Sequence, residues 1–157
     1  MQSTNQFEAM TPQAAATNAI KKPVLRRGSR DRAVVELQQL LAYWGYYATP
    51  FDDVFDFPVE NAVKAFQHRV FLVEDGIVGA KTWQALYSGA PVDMPELRLG
   101  SRGEAVKTLQ KVLQLVPDGI FGPITQNAVK TFQSSRNLVA DGIVASRTWF
   151  ELSKLPH

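Results

Sequence analysis

The side chains in this sequence able to do chemistry are carboxylates, amides and guanidinium groups. There is no cysteine, and the two histidines are His68 and His157. Neither a thiolate nucleophile nor a zinc site built from several histidines is therefore expected. Paired carboxylates can hydrolyse a glycosidic bond when a cleft sets their pKa values apart. The densest acidic group here, Asp52, Asp53, Asp56 and Glu60, lacks the spacing of a calcium loop. It reads as an acidic helix entry, where the helix dipole favours negative charge. Asp118 and Asp141 each precede a glycine and suit tight turns. Four residues stand out as candidate ligand contacts: Asp118, Phe121, Asn127 and Arg136. Asp118 and Asn127 flank the turn Gly119–Pro123, Phe121 lies within it, and Arg136 lies further along the chain. An amide and a guanidinium in such positions can satisfy the amides and carboxylates of a ligand. No catalytic residue, metal site or cofactor is expected.

These residues sit in a repeated frame. Leu25-Arg26-Arg27-Gly28-Ser29-Arg30 returns as Leu97-Arg98-Leu99-Gly100-Ser101-Arg102. Asn61-Ala62-Val63-Lys64 returns as Asn127-Ala128-Val129-Lys130, and Asp75-Gly76-Ile77-Val78 as Asp141-Gly142-Ile143-Val144. Between 61–84 and 127–150, 14 of 24 positions are identical, which marks an internal duplication. The offset falls from 72 to 66 along the repeat, so copy one carries six extra residues near Tyr43–Asp52. That insertion holds Tyr43, Trp44, Tyr46, Tyr47 and Phe51, which either pack inward or form an exposed contact surface.

Each copy carries three helical patterns. Val34, Leu37, Leu40, Leu41 and Trp44 recur at helical spacing, as do Val106, Leu109, Val112 and Leu113. The second helix of each copy presents Val59, Ala62, Val63 and Phe66, or Ile124, Ala128, Val129 and Phe132. Pro58 and Pro123 suit the first turns of these helices, where an amide hydrogen has no internal partner. The short third helices carry Trp83 and Leu86, or Trp149 and Leu152, with both tryptophans expected in the core. Ser101 with Glu104 suggests a capping box, and Ser146 suggests a cap for the last helix. Gln67 and Gln133 are expected to make helix-end or inter-helix hydrogen bonds. Short extended pieces are expected at Gly76–Val78 and Gly142–Val144. The expected fold is all-α: tandem three-helix bundles, with an arm at 1–22, repeat one at 23–88, a linker at 89–96 and repeat two at 97–157.

The 157 residues carry a formal charge of +2. Residues 21–87 hold nine Lys/Arg against eight Asp/Glu, and residues 98–157 hold eight against four. The second copy is thus the better suited to an anionic polymer. No nucleic-acid partner is expected. The arm, with a nascent helix around Ala14–Ala16, lacks the apolar core of a signal peptide, which leaves a cytoplasmic location open. No segment is apolar enough to span a membrane.

The chain resembles the tandem peptidoglycan-binding domain family. The resemblance rests on Leu99-Gly100-Ser101-Arg102-Gly103, Leu109-Gln110, Asp118-Gly119-Ile120-Phe121-Gly122-Pro123, Phe132-Gln133, Asp141-Gly142-Ile143-Val144 and Thr148-Trp149. Copy one matches through Gly28-Ser29, Leu37-Gln38, Phe66-Gln67, Asp75-Gly76-Ile77-Val78-Gly79 and Thr82-Trp83. It departs at Asp53-Val54-Phe55-Asp56, which replaces the glycine-bearing Gly119-Ile120-Phe121-Gly122. A non-glycine residue does not freely take a positive φ, so the turn there should differ. The resemblance implies a three-helix, non-catalytic anchoring or targeting pair, not an enzyme, located in the cell wall or periplasm. Its implied partners are the glycan or stem peptide of peptidoglycan, together with a cell-wall hydrolase. The alternative is a protein-interaction or scaffold module using the same fold. Under the first reading Arg136 would pair with a peptide carboxylate and Asn127 with an amide.

Overall fold

A computed structural model describes residues 21–157. The expected arm, apart from Lys21 and Lys22, and its helix around Ala14–Ala16 lie outside the described residues. The chain divides into a unit ending at Val92 and a second unit, Asp93–His157. The first holds α1 (Arg32–Tyr43), α2 (Phe57–Arg69) and α3 (Ala80–Ser88). The second holds α4 (Glu104–Val112), α5 (Pro123–Ser135) and α6 (Ser146–Ser153). The fold is all-α, with three helices in each unit among the described residues.

Helical spacing of apolar residues becomes one core per unit. In the first, Val34, Leu37 and Leu41 of α1 are buried with Val59, Val63 and Phe66 of α2 and Trp83 and Leu86 of α3. In the second, Val106 and Leu109, Val129 and Phe132, and Trp149 and Leu152 repeat the plan. The extended pieces at Val78 and Val144 close each unit by pairing antiparallel with Leu25 and Leu97. Both amide–carbonyl bonds of each pair form, at 2.8–3.1 Å. Trp83 and Trp149 are core residues that also hold the incoming chain. Their indole N–H groups donate to the carbonyls of Pro23 and Pro95 at 2.9 and 2.8 Å.

Pro58 and Pro123 do lie in the first turns of α2 and α5. The serine caps need correction. Ser101 Oγ accepts from the Arg98 amide at 3.0 Å, tying the turn before α4. The residue capping α4 is Gly103, at φ +122 and with no side-chain bond. Ser146 is the first residue of α6, and Ala145 precedes it as the cap. In the first unit carboxylates serve: Asp31 accepts from Ala33 and Asp56 from Val59.

The aromatic insertion divides between core and surface. Trp44 donates from Nε1 to the Leu86 carbonyl at 2.7 Å, and Tyr46 packs edge-on to Phe66. Tyr43 is 77% exposed and Phe51 is also open. Trp44 and Tyr46 therefore pack inward, while Tyr43 and Phe51 are exposed.

Candidate functional site

Among the described residues, one hydrogen-bonded frame occurs three times in the same form. In each, a buried glutamine near a helix end donates to an aspartate eight residues on and to a threonine fifteen residues on. The same amide donates to the carbonyl two residues after the aspartate. Its Oε1 accepts from the intervening glycine N–H at 2.9–3.0 Å. The three sets are Gln67–Asp75–Gly76–Thr82, Gln110–Asp118–Gly119–Thr125 and Gln133–Asp141–Gly142–Thr148. Every polar end of the glutamine amide is thereby satisfied, as burial demands. The glycines sit at φ +74, +77 and +75, the left-handed region that a side chain disfavours.

The fourth version explains how the first unit manages without a glycine. Gln38 still donates to Asp52 and to the Val54 carbonyl, at 3.0 and 3.2 Å. Its Oε1, however, accepts from the N–H of Asp52 itself, at 2.7 Å. The shift by one residue removes the need for a positive φ at Asp53. Val59 stands where Thr125 stands in the second unit, so no hydroxyl completes the set. The expected difference in this turn is therefore present and small.

The frame also fixes charge. The N–H of Ile120 and the Gln110 amide hold the Asp118 carboxyl below its ordinary range, against a smaller opposing effect of burial. For Asp141 the Ile143 N–H lowers the value first and burial opposes it; Gln133 and Arg98 add to the lowering.

The structure does not gather the four expected contacts into one site. Asp118 commits its Oδ1 to Gln110 and Ile120. Phe121 is 1% exposed, a core residue like Phe55, and a ring so enclosed is withdrawn from ligand contact. Asn127 is exposed on α5. Arg136 caps the far end of that helix, its guanidinium 5.3 Å from the centre of the Phe132 ring. The nine-residue separation places Asn127 and Arg136 about 13 Å apart along the helix.

An open groove of about 370 Å³ instead lies where the end of α5 meets the start of α6. Asn137, Val139, Asp141, Ser146, Arg147 and Thr148 are among its lining residues. Asn137 is held at φ +60, as are Phe71 and Gln114 at the same point of their frames, at +64 and +59. Sequence reasoning passed over Arg147 and the groove. The signal lay in the thrice-repeated spacing of Gln, Asp-Gly and Thr, which shows each unit to be built from two similar helix–turn halves. Among the described residues, no group of three or more His, Cys, Asp or Glu is placed to hold a metal ion. None of their helices is long and apolar enough to cross a membrane.

A family model described as "Putative peptidoglycan binding domain" matches residues 30–86 and 102–152. The N-acetylmuramoyl-L-alanine amidase CwlM of Mycobacterium tuberculosis is 35% identical over 152 residues, covering 79% of this chain and 36% of its own length. The spore cortex-lytic enzyme of Bacillus subtilis is 44% identical over 70 residues, covering 44% of this chain and 23% of its own. The crystal structure of the SleB N-terminal domain is 38% identical, with a TM-score of 0.43, and covers 45% of this chain and 97% of that one. The chain thus spans about a third or less of the two curated relatives. Their names, an amidase and a cortex-lytic enzyme, overturn the expectation of a purely non-catalytic module pair that is not an enzyme.

Proposed function

The chain belongs to the peptidoglycan-binding domain family, and from that membership we propose that it works in the hydrolysis of bacterial cell wall. Its two units hold peptidoglycan for cleavage of the amidase or lytic kind. The observation that carries this reading is the family match in both units, joined to relatives named as an amidase and a cortex-lytic enzyme. The groove supports it with the polar groups a wall polymer would meet: amide, hydroxyl, carboxylate and guanidinium. Asn127, exposed on α5, and Arg136, which caps that helix, are further contacts in the same reading. The cell wall or periplasm is the location that suits this activity.

Incubating the full-length protein with purified sacculi tests the proposal. Protein is expected in the pellet after centrifugation, and soluble muropeptides above the protein-free control are expected in the supernatant. Protein left in solution with no muropeptide released would sink it.

A further inference from the structure

We propose that the groove at the α5–α6 junction reads the peptide component of the wall polymer rather than its sugars, through Arg147 and Asp141, and that the first unit repeats this reader with Lys81 and Asp75. The inference rests on the peptidoglycan reading and narrows it to one chemical part of the polymer.

The lining is the first reason. Sugars are gripped well by open aromatic rings, on which the C–H faces of a pyranose stack. The groove contains no aromatic residue. Of the second unit's rings, Phe121, Phe132 and Trp149 are buried, and Phe150 lies under the Lys154 ammonium, 4.3 Å from its ring centre. The groove offers instead one guanidinium, one carboxylate and uncharged hydrogen-bonding groups beside the exposed Val139. Wall stem peptides present free carboxylates, amides and small apolar side chains, which match that inventory.

The state of the two charged groups is the second reason. Arg147 is exposed and has no hydrogen-bond or ion-pair partner among the described residues. Its planar fork can therefore take a carboxylate by two parallel bonds. It stands in the first turn of α6, where the cap supplies no side-chain hydrogen bond and the backbone N–H groups favour the same anion. Asp141 uses Oδ1 for Gln133 and Ile143, which leaves Oδ2 to accept from a peptide amide or ammonium.

Recurrence is the third reason. The Gln67 frame places Asp75 and Lys81 where the Gln133 frame places Asp141 and Arg147, so both charges are kept. Val73 and Val139, at matching positions, are 79% and 80% exposed. The Gln110 frame has the same hydrogen bonds but carries Ile124, exposed, in place of the cation. It is an internal control for the role of the charge.

Calorimetric titration of the whole protein with free stem peptide, and separately with peptide-free glycan chains, tests the assignment alongside sedimentation with sacculi. Peptide is expected to bind at two sites and glycan at neither. Arg147→Ala or Lys81→Ala should leave one site, and the double variant should weaken peptide binding by about tenfold or more at both, the scale of a lost charge-assisted pair. Arg147→Lys should keep both sites. Ile124→Ala should change nothing, and far-UV circular dichroism checks that each variant is folded. Unchanged peptide affinity in the folded double variant would overturn the assignment, as would glycan binding in place of peptide. Sedimentation with sacculi but no affinity for free peptide would reject this inference and leave the peptidoglycan reading standing. No sedimentation would reject both.

Discussion

A buried glutamine amide that satisfies a carboxylate, a hydroxyl, a carbonyl and a glycine N–H is costly to replace. Gln133→Leu keeps bulk but strands the Thr148 hydroxyl and the Gly142 N–H in the interior. Each such stranded group costs about 1–3 kcal/mol, so a total loss of about 3 kcal/mol is expected, read from urea denaturation. The aspartates of the frame give the fold an acid limit. The carboxyls of Asp118 and Asp141 are held below the ordinary value of 3.8. Their contribution is thus fully present above that value and is lost as pH falls through the depressed one. Melting temperature should be level from neutral pH down to about that point and then fall. Asp118→Asn should shrink the fall, because the amide oxygen can still accept but carries no titrating charge. An unchanged acid limb in that variant would remove Asp118 from this account. At this scale the sequence was only partly legible. Asp-Gly pairs announced turns, and the tryptophans announced the core. That one oxygen of Asp118 is tied into its own turn, and Phe121 into the core, depends on which face of the turn meets the helices, and spacing along the chain does not reveal that.

At the scale of elements, the helices were legible because apolar residues at helical spacing must share one buried face. Their starts were less so. A serine before a helix is a natural cap, yet Ser29 and Ser101 bond backward to the amides of Arg26 and Arg98 and leave capping to other residues. Two glycines separate backbone strain from crowding. Gly28, at φ +99, has open space where a side chain would grow, whereas Gly89, at φ +71, would place a Cβ 2.2 Å from the Trp44 ring. Gly28→Ala should therefore cost about 1–2 kcal/mol, the strain of the left-handed region. Gly89→Ala adds an overlap with a ring that α3 already holds by a hydrogen bond, so its thermal stability should fall clearly further. Equal losses in the two variants would contradict the packing of the insertion against the end of α3.

At the scale of the molecule, the duplication was the most legible feature, because identical residues recur whatever the chain does between them. The finer duplication inside each unit was harder to see, since only Gln, Asp, Gly and Thr survive in it. Each unit carries its own core and its own closing pair, Leu25 with Val78 or Leu97 with Val144. A fragment of residues 93–157 is accordingly expected to melt cooperatively on its own in circular dichroism; a sloping, non-cooperative signal would show that this core does not suffice. The frame's contacts also bear on how such a protein diversifies. Gln133 grips its turn through two main-chain groups, the Gly142 N–H and the Ile143 carbonyl, and through the Asp141 and Thr148 side chains. Asn137, Val139 and Arg147 lie outside that grip. They form a cassette: residues on the rim can be exchanged, grafted from one half to another or inverted in charge, while the chassis beneath stays closed.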